Sequence, residues 1–265
     1  MLFSVNELVR VYKIKPQGVL HVGGHNAEEE KEYVSNGWQG RGKILWVEAN
    51  PELAEKMRNN LDPSLNLVFT GLAWGISGLE KRFYLNNFSQ ASSAFELGTA
   101  QEYYPNFQIN SEIILSTIRI DELINTEFLF DFINLDVQGS ELEVLIGCGE
   151  LLQKTKWIYT EVNHIQVYKG IPLVGEIDSY LQSQGFTRMA TRWFSNSGWG
   201  DALYYNNSIL MDFPSFKKRV FTSGNVVFVY QSMTNYLKRS FMNAFPRIGK
   251  LIKIGLNIIK SKHNN

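Results

Sequence analysis

The sequence predicts an α/β fold in which stacked βα units surround a mainly parallel sheet. Apolar strand-like runs alternate with helical ones through most of the chain. The run Gly18-Val-Leu-His-Val-Gly-Gly-His-Asn-Ala27 closes one strand in glycines, and Ile44-Leu-Trp-Val-Glu48 closes the next in a carboxylate. A glycine loop after a strand lets backbone approach a ligand, and an acid about 20 residues on accepts hydrogen bonds from ribose hydroxyls. A nucleoside cofactor is the expected guest.

Taken in order, strands are predicted at 18–22, 43–48, 65–70, 131–136, 156–162, 186–193 and 201–206. A helix over 27–36 is opened by Asn26 as its cap, and one over 51–60 by Pro51 at its first position. Between the third and fourth strands lies an insertion with extra strand candidates at 82–85 and 116–119. Its polar stretch, residues 86–93, falls where inserted loops reach the ligand crevice of an open α/β sheet. A helix over 140–147 follows Asp136-Val-Gln-Gly139, and one over 173–184 stops at Gly185, where a strand resumes at Phe186.

The chain has 265 residues, 44% of them hydrophobic, enough for one main domain with an appendage. With a single cysteine, Cys148, a disulfide framework is excluded and a reducing compartment fits. The N-terminus lacks the apolar run of a secretory signal, and no stretch approaches about 18 uninterrupted apolar residues. The zero net charge hides a division: residues 215–265 carry ten Lys or Arg and no Asp or Glu, so the remainder is net acidic. The expected organisation is a catalytic domain over 1–210 and a basic tail over 211–265.

Which nucleoside enters is narrowed by charge. Gly23, Gly24, His25, Asn26 and Ala27 fit a dinucleotide fingerprint poorly, and Glu28, Glu29, Glu30 and Glu32 crowd the following helix start, where a diphosphate would be repelled. S-adenosylmethionine, which has no phosphate and carries a sulfonium and an ammonium, tolerates them. Acids at a helix start are also ordinary partners of the helix dipole, and that reading stands beside the first.

Several motifs together resemble the FkbM-type family of S-adenosylmethionine-dependent methyltransferases, from about Gly18 to Asn206. They are His21-Val-Gly-Gly-His25, Trp46-Val-Glu48, Phe83-Tyr-Leu-Asn-Asn87 with Ser92-Ser93, Thr117-Ile-Arg-Ile-Asp121, Asn134-Leu-Asp-Val-Gln-Gly-Ser-Glu141, Glu161-Val-Asn163, Tyr168-Lys-Gly170 and Gly198-Trp-Gly-Asp-Ala202. The resemblance implies a Rossmann-like class I fold, a seven-stranded sheet with its last strand reversed, and methyl transfer to oxygen, often on a sugar or polyketide hydroxyl. The chain departs from many such relatives at two points: His21 stands where they have Asp, and Asn134 where they often have Lys.

On this reading His21, Gly23, Gly24, His25, Glu48, Ala49, Ala73, Trp74 and Asp136 are the expected cofactor contacts, with Glu48 on the ribose and Ala73 and Trp74 near adenine. Trp74 fits equally as core. Asp136 ends the fourth strand, either facing the sulfonium and acceptor hydroxyl or capping the next helix. Glu161 and His164, just past the fifth strand, are the candidate bases beside Asp136. Asn87, Ser92, Ser93 and Tyr168 are the expected substrate contacts, and no metal is expected, since Asp136 and Glu161 alone make a thin magnesium shell.

In the tail, Leu237, Phe241, Phe245, Ile248, Ile252 and Ile259 recur at helical spacing, with Pro246 between two segments and Arg247, Lys250, Lys253 and Lys260 on the opposite side of the second. Over 233–262 this suits a helix lying on an anionic membrane surface, or one packed on the acidic body. The sequence thus predicts a cytoplasmic O-methyltransferase of a glycan or lipid-linked sugar, peripheral on the inner membrane face, with no nucleic-acid partner. The alternatives are a nicotinamide-dependent oxidoreductase and a non-catalytic nucleoside-binding adaptor.

Overall fold

The computed structural model describes residues 1–40, 43–99, 105–124, 130–194 and 197–208. The predicted tail, and with it the membrane helix over 233–262, lies outside the described residues.

Among the described residues, ten strands form two sheets. β1 (Val19–Val22), β2 (Ile44–Glu48), β3 (Asn66–Thr70), β7 (Phe132–Leu135), β8 (Trp157–Asn163), β9 (Phe186–Trp193) and β10 (Trp199–Asn206) make the main sheet, in the order β3-β2-β1-β7-β8-β10-β9. β10 runs antiparallel to both its neighbours, while β1, β2, β3, β7 and β8 pair in parallel. This is the expected seven-stranded sheet with a reversed last strand. A smaller sheet, β4 (Leu72–Ala73), β6 (Ile109–Ile118) and β5 (Glu80–Asn86), occupies the insertion.

Seven helices are described: α1 (Val5–Tyr12), α2 (Glu30–Ser35), α3 (Pro51–Asn60), α4 (Ile120–Leu123), α5 (Glu141–Cys148), α6 (Leu151–Lys154) and α7 (Val174–Ser183). α3 begins at Pro51, with Asn50 as its cap accepting from Glu52 N at 3.0 Å. α2 begins three residues later than predicted, at Glu30, and Asn26 is not its cap. The reason is local: His25 (φ 46) and Ala27 (φ 57) are both left-handed, which no helix accommodates. Asn26 instead accepts from Lys56 Nζ at 2.7 Å.

Alternation along each strand divides the core. Leu20 and Val22 of β1 and Leu45 and Val47 of β2 pack on one face, while Val19, Ile44 and Trp46 pack on the other against α1, Tyr33 and Trp38. Burying such side chains stabilises the fold by roughly 1.5–3 kcal/mol each. Because the chain adds β2 and β3 on one side of β1 and then returns to place β7 on the other, the strand order reverses between β1 and β7. In open α/β sheets that switch point is where ligands bind, beyond the carboxyl ends of the strands.

Candidate active site

Backbone contact across the switch point is unusually close. Asp136 N donates to Val22 O at 3.0 Å, and a Cβ added to Gly23 (φ 84) would lie 1.8 Å from the carbonyl oxygen of Asp136. Only glycine fits. Gly23→Ala is expected to cost about 1–3 kcal/mol in backbone strain and about 1–3 kcal/mol more in overpacking, read as a lowered Tm. At Gly24 the missing side chain faces protein, with Met57 at 2.8 Å and Trp46 at 3.0 Å.

Beyond the strand ends two spaces meet. A narrow crevice of about 50 Å³ runs over β1 and β2, lined by Gly23, Glu48, Ala49 and Leu53 on one side and by Gly71, Ala73 and Ser140 on the other. A cavity of about 580 Å³ opens beside it, within the range of small-molecule sites. Gly23, His25, Gln90, Asp136 and Gln138 line both, so the two adjoin. The outer wall of the crevice is the exposed 3₁₀ turn Ser89–Ala91, tied to its floor where Ser89 Oγ lies 2.9 Å from His25 Nε2.

Glu48 sits at the crevice floor with each oxygen holding one loop amide: Oε2 accepts from His25 N and Oε1 from Asn50 N, both at 2.8 Å. Burial raises its pKa against the downward pull of those amides. Each oxygen keeps a lone pair for a further donor. Ser140 is 1% exposed, lines the crevice, and its Oγ has no partner within the protein. These features suit a nucleoside with ribose hydroxyls to donate and polar edges to meet Ser140.

Asp136 presents its carboxylate to the junction. It is exposed there, yet ringed by protein on its other sides, and burial followed by the charge of Asp201 raises its pKa to about 6. Its alternative as a helix cap is corrected: the residue preceding α5 is Ser140, and the turn between them is closed by Glu141, which accepts from Val137 N (3.3 Å) and Gly139 N (3.1 Å). Gln138, held left-handed at φ 51, bridges the acids. Its Nε2 donates to Asp136 Oδ1 at 2.7 Å and Glu161 Oε2 at 3.1 Å, and its Oε1 accepts from Tyr168 OH at 2.8 Å. Glu161 is pushed well above the usual carboxylate range by burial and by Asp136, Glu141 and Asp201.

These raised values carry a pH dependence of stability. The folded chain holds protons on Asp136 (about 6) and Glu141 (about 7) that the unfolded chain releases near 3.8 and 4.5, so stability is fully present below those lower values and is lost as pH rises through 6–7. Tm is expected to fall between about pH 4 and 7, and Glu141→Gln, which can still accept the loop amides, is expected to flatten that fall.

Of the other expected contacts, His25, Ala49 and Ala73 line the crevice, Ser92 joins them there rather than in the cavity, and Tyr168 lines the cavity. Several do not reach either space. His164, expected as a base, is exposed outside both linings with its ring edge-on to Trp193 at 4.8 Å. Trp74 is buried against Phe95 beneath Lys81 rather than over the crevice. Asn87 clasps its own loop through Asn106 O and Gln108 N, and Ser93 is fully buried, donating to Gln138 O at 2.7 Å.

His21 lines the cavity but is nearly enclosed, stacked on Trp46 at 4.8 Å, and burial lowers its pKa to about 4, so the ring is neutral. Its register partner across β1 and β7 is Asn134, which donates to Tyr33 OH at 2.8 Å, and Tyr33 OH lies 3.4 Å from His21 Nδ1. The two departures from the family pattern therefore form one uncharged cluster under the cavity floor.

The acid-rich start of α2 is largely spoken for by protein: Glu32 accepts from Val5 N (2.9 Å), Glu30 from Asn66 Nδ2 (3.1 Å), Glu28 pairs with His25 (2.7 Å), and Glu29 lies 3.5 Å from the Met1 amine. Glu28 and Glu29 border the cavity, not the crevice. Met1, Leu2, Phe107, Tyr159 and Val167 also line the cavity without having stood out in the sequence, and Trp199 and Asp201, which stood out only as part of the Gly198–Ala202 motif, line it too. Among the described residues no group of three or more His, Cys, Asp or Glu is arranged to hold a metal ion.

A glycine loop at the switch point and an acid at the end of the second strand form the nucleoside-binding frame of an open α/β sheet. Residues 21–188, more than half of the chain, match the FkbM methyltransferase domain. The chain belongs to that family, whose methyl donor is S-adenosylmethionine. It is similar to 2-O-methyltransferase NoeI of Sinorhizobium fredii (strain NBRC 101917 / NGR234), 24% identical over 170 residues that cover 60% of this chain and 69% of that protein. Among solved structures it is similar to methyltransferase FkbM from Methylobacillus flagellatus KT (TM-score 0.47, 14% identity, 71% of this chain); the chain spans only 43% of that protein. It is also similar to magnesium protoporphyrin IX methyltransferase from Synechocystis PCC 6803 with bound S-adenosylhomocysteine (TM-score 0.43, 10% identity, 76% of this chain and 79% of that one).

Proposed function

We propose that the chain is an O-methyltransferase acting on a hydroxyl of a glycan or lipid-linked sugar. The observation that supports this most is Asp136, a carboxylate lining both the cofactor crevice and the neighbouring cavity. S-adenosylmethionine supplies a methyl group on a positively charged sulfur. Glu48 would hold its ribose and Ser140 a polar edge of the nucleoside, with the Ser89–Ala91 turn moving outward to admit it. Asp136 would take the proton of the acceptor hydroxyl, its carboxylate oriented by the Gln138 amide. Holding the two reactants in line accounts for roughly 7–11 kcal/mol of barrier lowering, and a base for about 10²- to 10⁴-fold in rate.

The cavity lining favours a sugar. Phe107, Tyr168 and Trp199 offer rings to the apolar face of a pyranose, and Asp136, Glu161 and Asp201 offer acceptors to its hydroxyls. Methyl release from labelled donor over a panel of methyl glycosides and lipid-linked sugars tests the reading. Transfer to a sugar hydroxyl is expected; transfer to phenolic or peptide hydroxyls alone would contradict it.

Among the described residues no helix is long and apolar enough to cross a membrane. The basic tail supports peripheral binding on the cytoplasmic face. The full chain is expected to sediment with vesicles containing phosphatidylglycerol and not with phosphatidylcholine alone, and the chain lacking residues 233–265 with neither. Equal behaviour of the two proteins would contradict it.

A further inference from the structure

Gln138 occupies a place where glycine would be the easier residue. Its φ of 51 is left-handed, which strains any residue with a side chain, and such strain persists where the surrounding structure holds it for a task. The surroundings hold it here: Ser93 Oγ donates to its carbonyl at 2.7 Å, and a Cβ on the next residue, Gly139, would lie 2.4 Å from Ile171 Cγ2. What the strained backbone delivers is a side-chain amide, placed where the crevice meets the cavity.

That amide has a direction. The hydrogens of its Nε2 go to two carboxylates, Asp136 Oδ1 at 2.7 Å and Glu161 Oε2 at 3.1 Å, while its Oε1 faces the Tyr168 hydroxyl at 2.8 Å. Turned over, the amide would set its carbonyl oxygen against two acceptors, an arrangement that becomes tolerable only once both acids hold protons. The direction of the amide and the charge of Asp136 are therefore linked, and whatever fixes the first biases the second.

Tyr168 is built to fix it. Its ring is buried with Phe107, Val167 and Ile171, and its backbone is clamped to the insertion by a bridge to Leu97 and by Lys169 N on Glu96 O at 2.9 Å. Its hydroxyl has a single hydrogen, for which Gln138 Oε1 and Ala91 O, the latter at 3.1 Å, compete. Ala91 O already accepts from Asn86 Nδ2, and Gln138 Oε1 is the nearer, so the hydrogen goes to the amide.

Resting on the reading of Asp136 as the base, we infer that Tyr168 and Gln138 are positioning residues for it: the hydroxyl sets the direction of the amide, and the amide holds Asp136 as the ionised group that takes the proton. Tyr168 thus acts on the reaction through its hydroxyl, whatever contact its ring makes. The titratable groups that face Asp136 are Glu161 and Tyr159 of β8, Asp201 of β10, Glu141 of α5, and His25, Glu29 and the Met1 amine on the side of α2. The insertion brings Phe83, Ser89, Gln90 and Ser92 to the crevice, none of them charged. The acids in this set, when ionised, oppose a charge on Asp136, so a donor aimed at it carries weight.

A pH titration of the Asp136 carboxyl carbon by NMR tests this, in the full chain labelled with carboxyl-enriched aspartate and with the signal assigned by its loss in Asp136→Asn. In Gln138→Met, which keeps the length of the side chain and has no donor, the midpoint is expected to move to higher pH by about 1, the equivalent of one hydrogen bond to a charged group. In Tyr168→Phe, which keeps the ring in its apolar cluster, it is expected to move the same way by less. A substitution that merely loosened the site would admit water and move the midpoint down, toward the ordinary carboxylate value. A midpoint that stays in place or moves down in either folded variant overturns the inference, and if a thermal melt shows one of them unfolded the other decides. Retention of the parent rate by Asp136→Asn would instead overturn the base reading, and the titration, which needs no acceptor, still decides whether hydroxyl and amide act on the carboxylate.

Discussion

Asp136→Asn is expected to lower kcat by about 10²- to 10⁴-fold while leaving the affinity for S-adenosylhomocysteine within about threefold. The split follows from how the residue is held. Its backbone amide is fixed to Val22 O and its carbonyl abuts Gly23, neither of which the substitution alters. An asparagine oxygen still accepts from Gln138, so the junction keeps its shape and loses only the group that takes a proton. In the parent the rate is expected to rise as pH increases through about 6, where burial and the charge of Asp201 place the ionisation of Asp136. The sign is fixed by the role: the base works ionised, so activity is lost on the acid side. Retention of more than about a tenth of the parent rate by the variant would move the base elsewhere on the wall.

Glu48→Ala is expected to weaken S-adenosylhomocysteine binding by about 10- to 10³-fold, the equivalent of one or two hydrogen bonds to a charged group. Two effects add. The ribose loses its acceptor, and the amides of His25 and Asn50, which now point at separate carboxylate oxygens, lose theirs. Glu48→Gln is not a neutral control, because an amide has one oxygen for two loop donors and must turn its NH₂ toward one of them. It is expected to bind S-adenosylhomocysteine more weakly than the parent as well. A thermal melt of each variant separates loss of the loop from loss of the ligand.

The frame of this site was readable in the residues. Apolar runs placed the strands of the main sheet, and their ends placed Glu48 and Asp136 at the crevice and Glu161 at the cavity beside it. Local conformation was harder. Two left-handed residues, His25 and Ala27, delay α2 past the Asn26 that looked like its cap. α1 carries its own signal in Ser4, whose Oγ accepts from Glu7 N at 3.2 Å, a capping pattern spaced three residues apart. What no local pattern contains is the sheet order. β10 inserts between β8 and β9, which brings Asp201 opposite Glu161 from 40 residues away in sequence. The segment before α1 reaches the same wall through Leu2 N on Asp201, Phe3 N on Tyr159 OH and the Met1 amine beside Glu29. His21 and Asn134 looked like two unrelated departures until the β1–β7 register paired them. Gln138, the amide joining the two acids, could be found only once both carboxylates were in place around it.

The central claim is that the crevice at the switch point holds the adenosine of S-adenosylmethionine with Glu48 as its anchor. Calorimetry of the full chain with S-adenosylhomocysteine and, separately, with NAD tests it most directly. One molecule of S-adenosylhomocysteine per chain is expected, with affinity reduced at least about tenfold in Glu48→Ala and no binding of NAD. Binding of NAD with none of S-adenosylhomocysteine, or equal affinity in parent and variant, would contradict it.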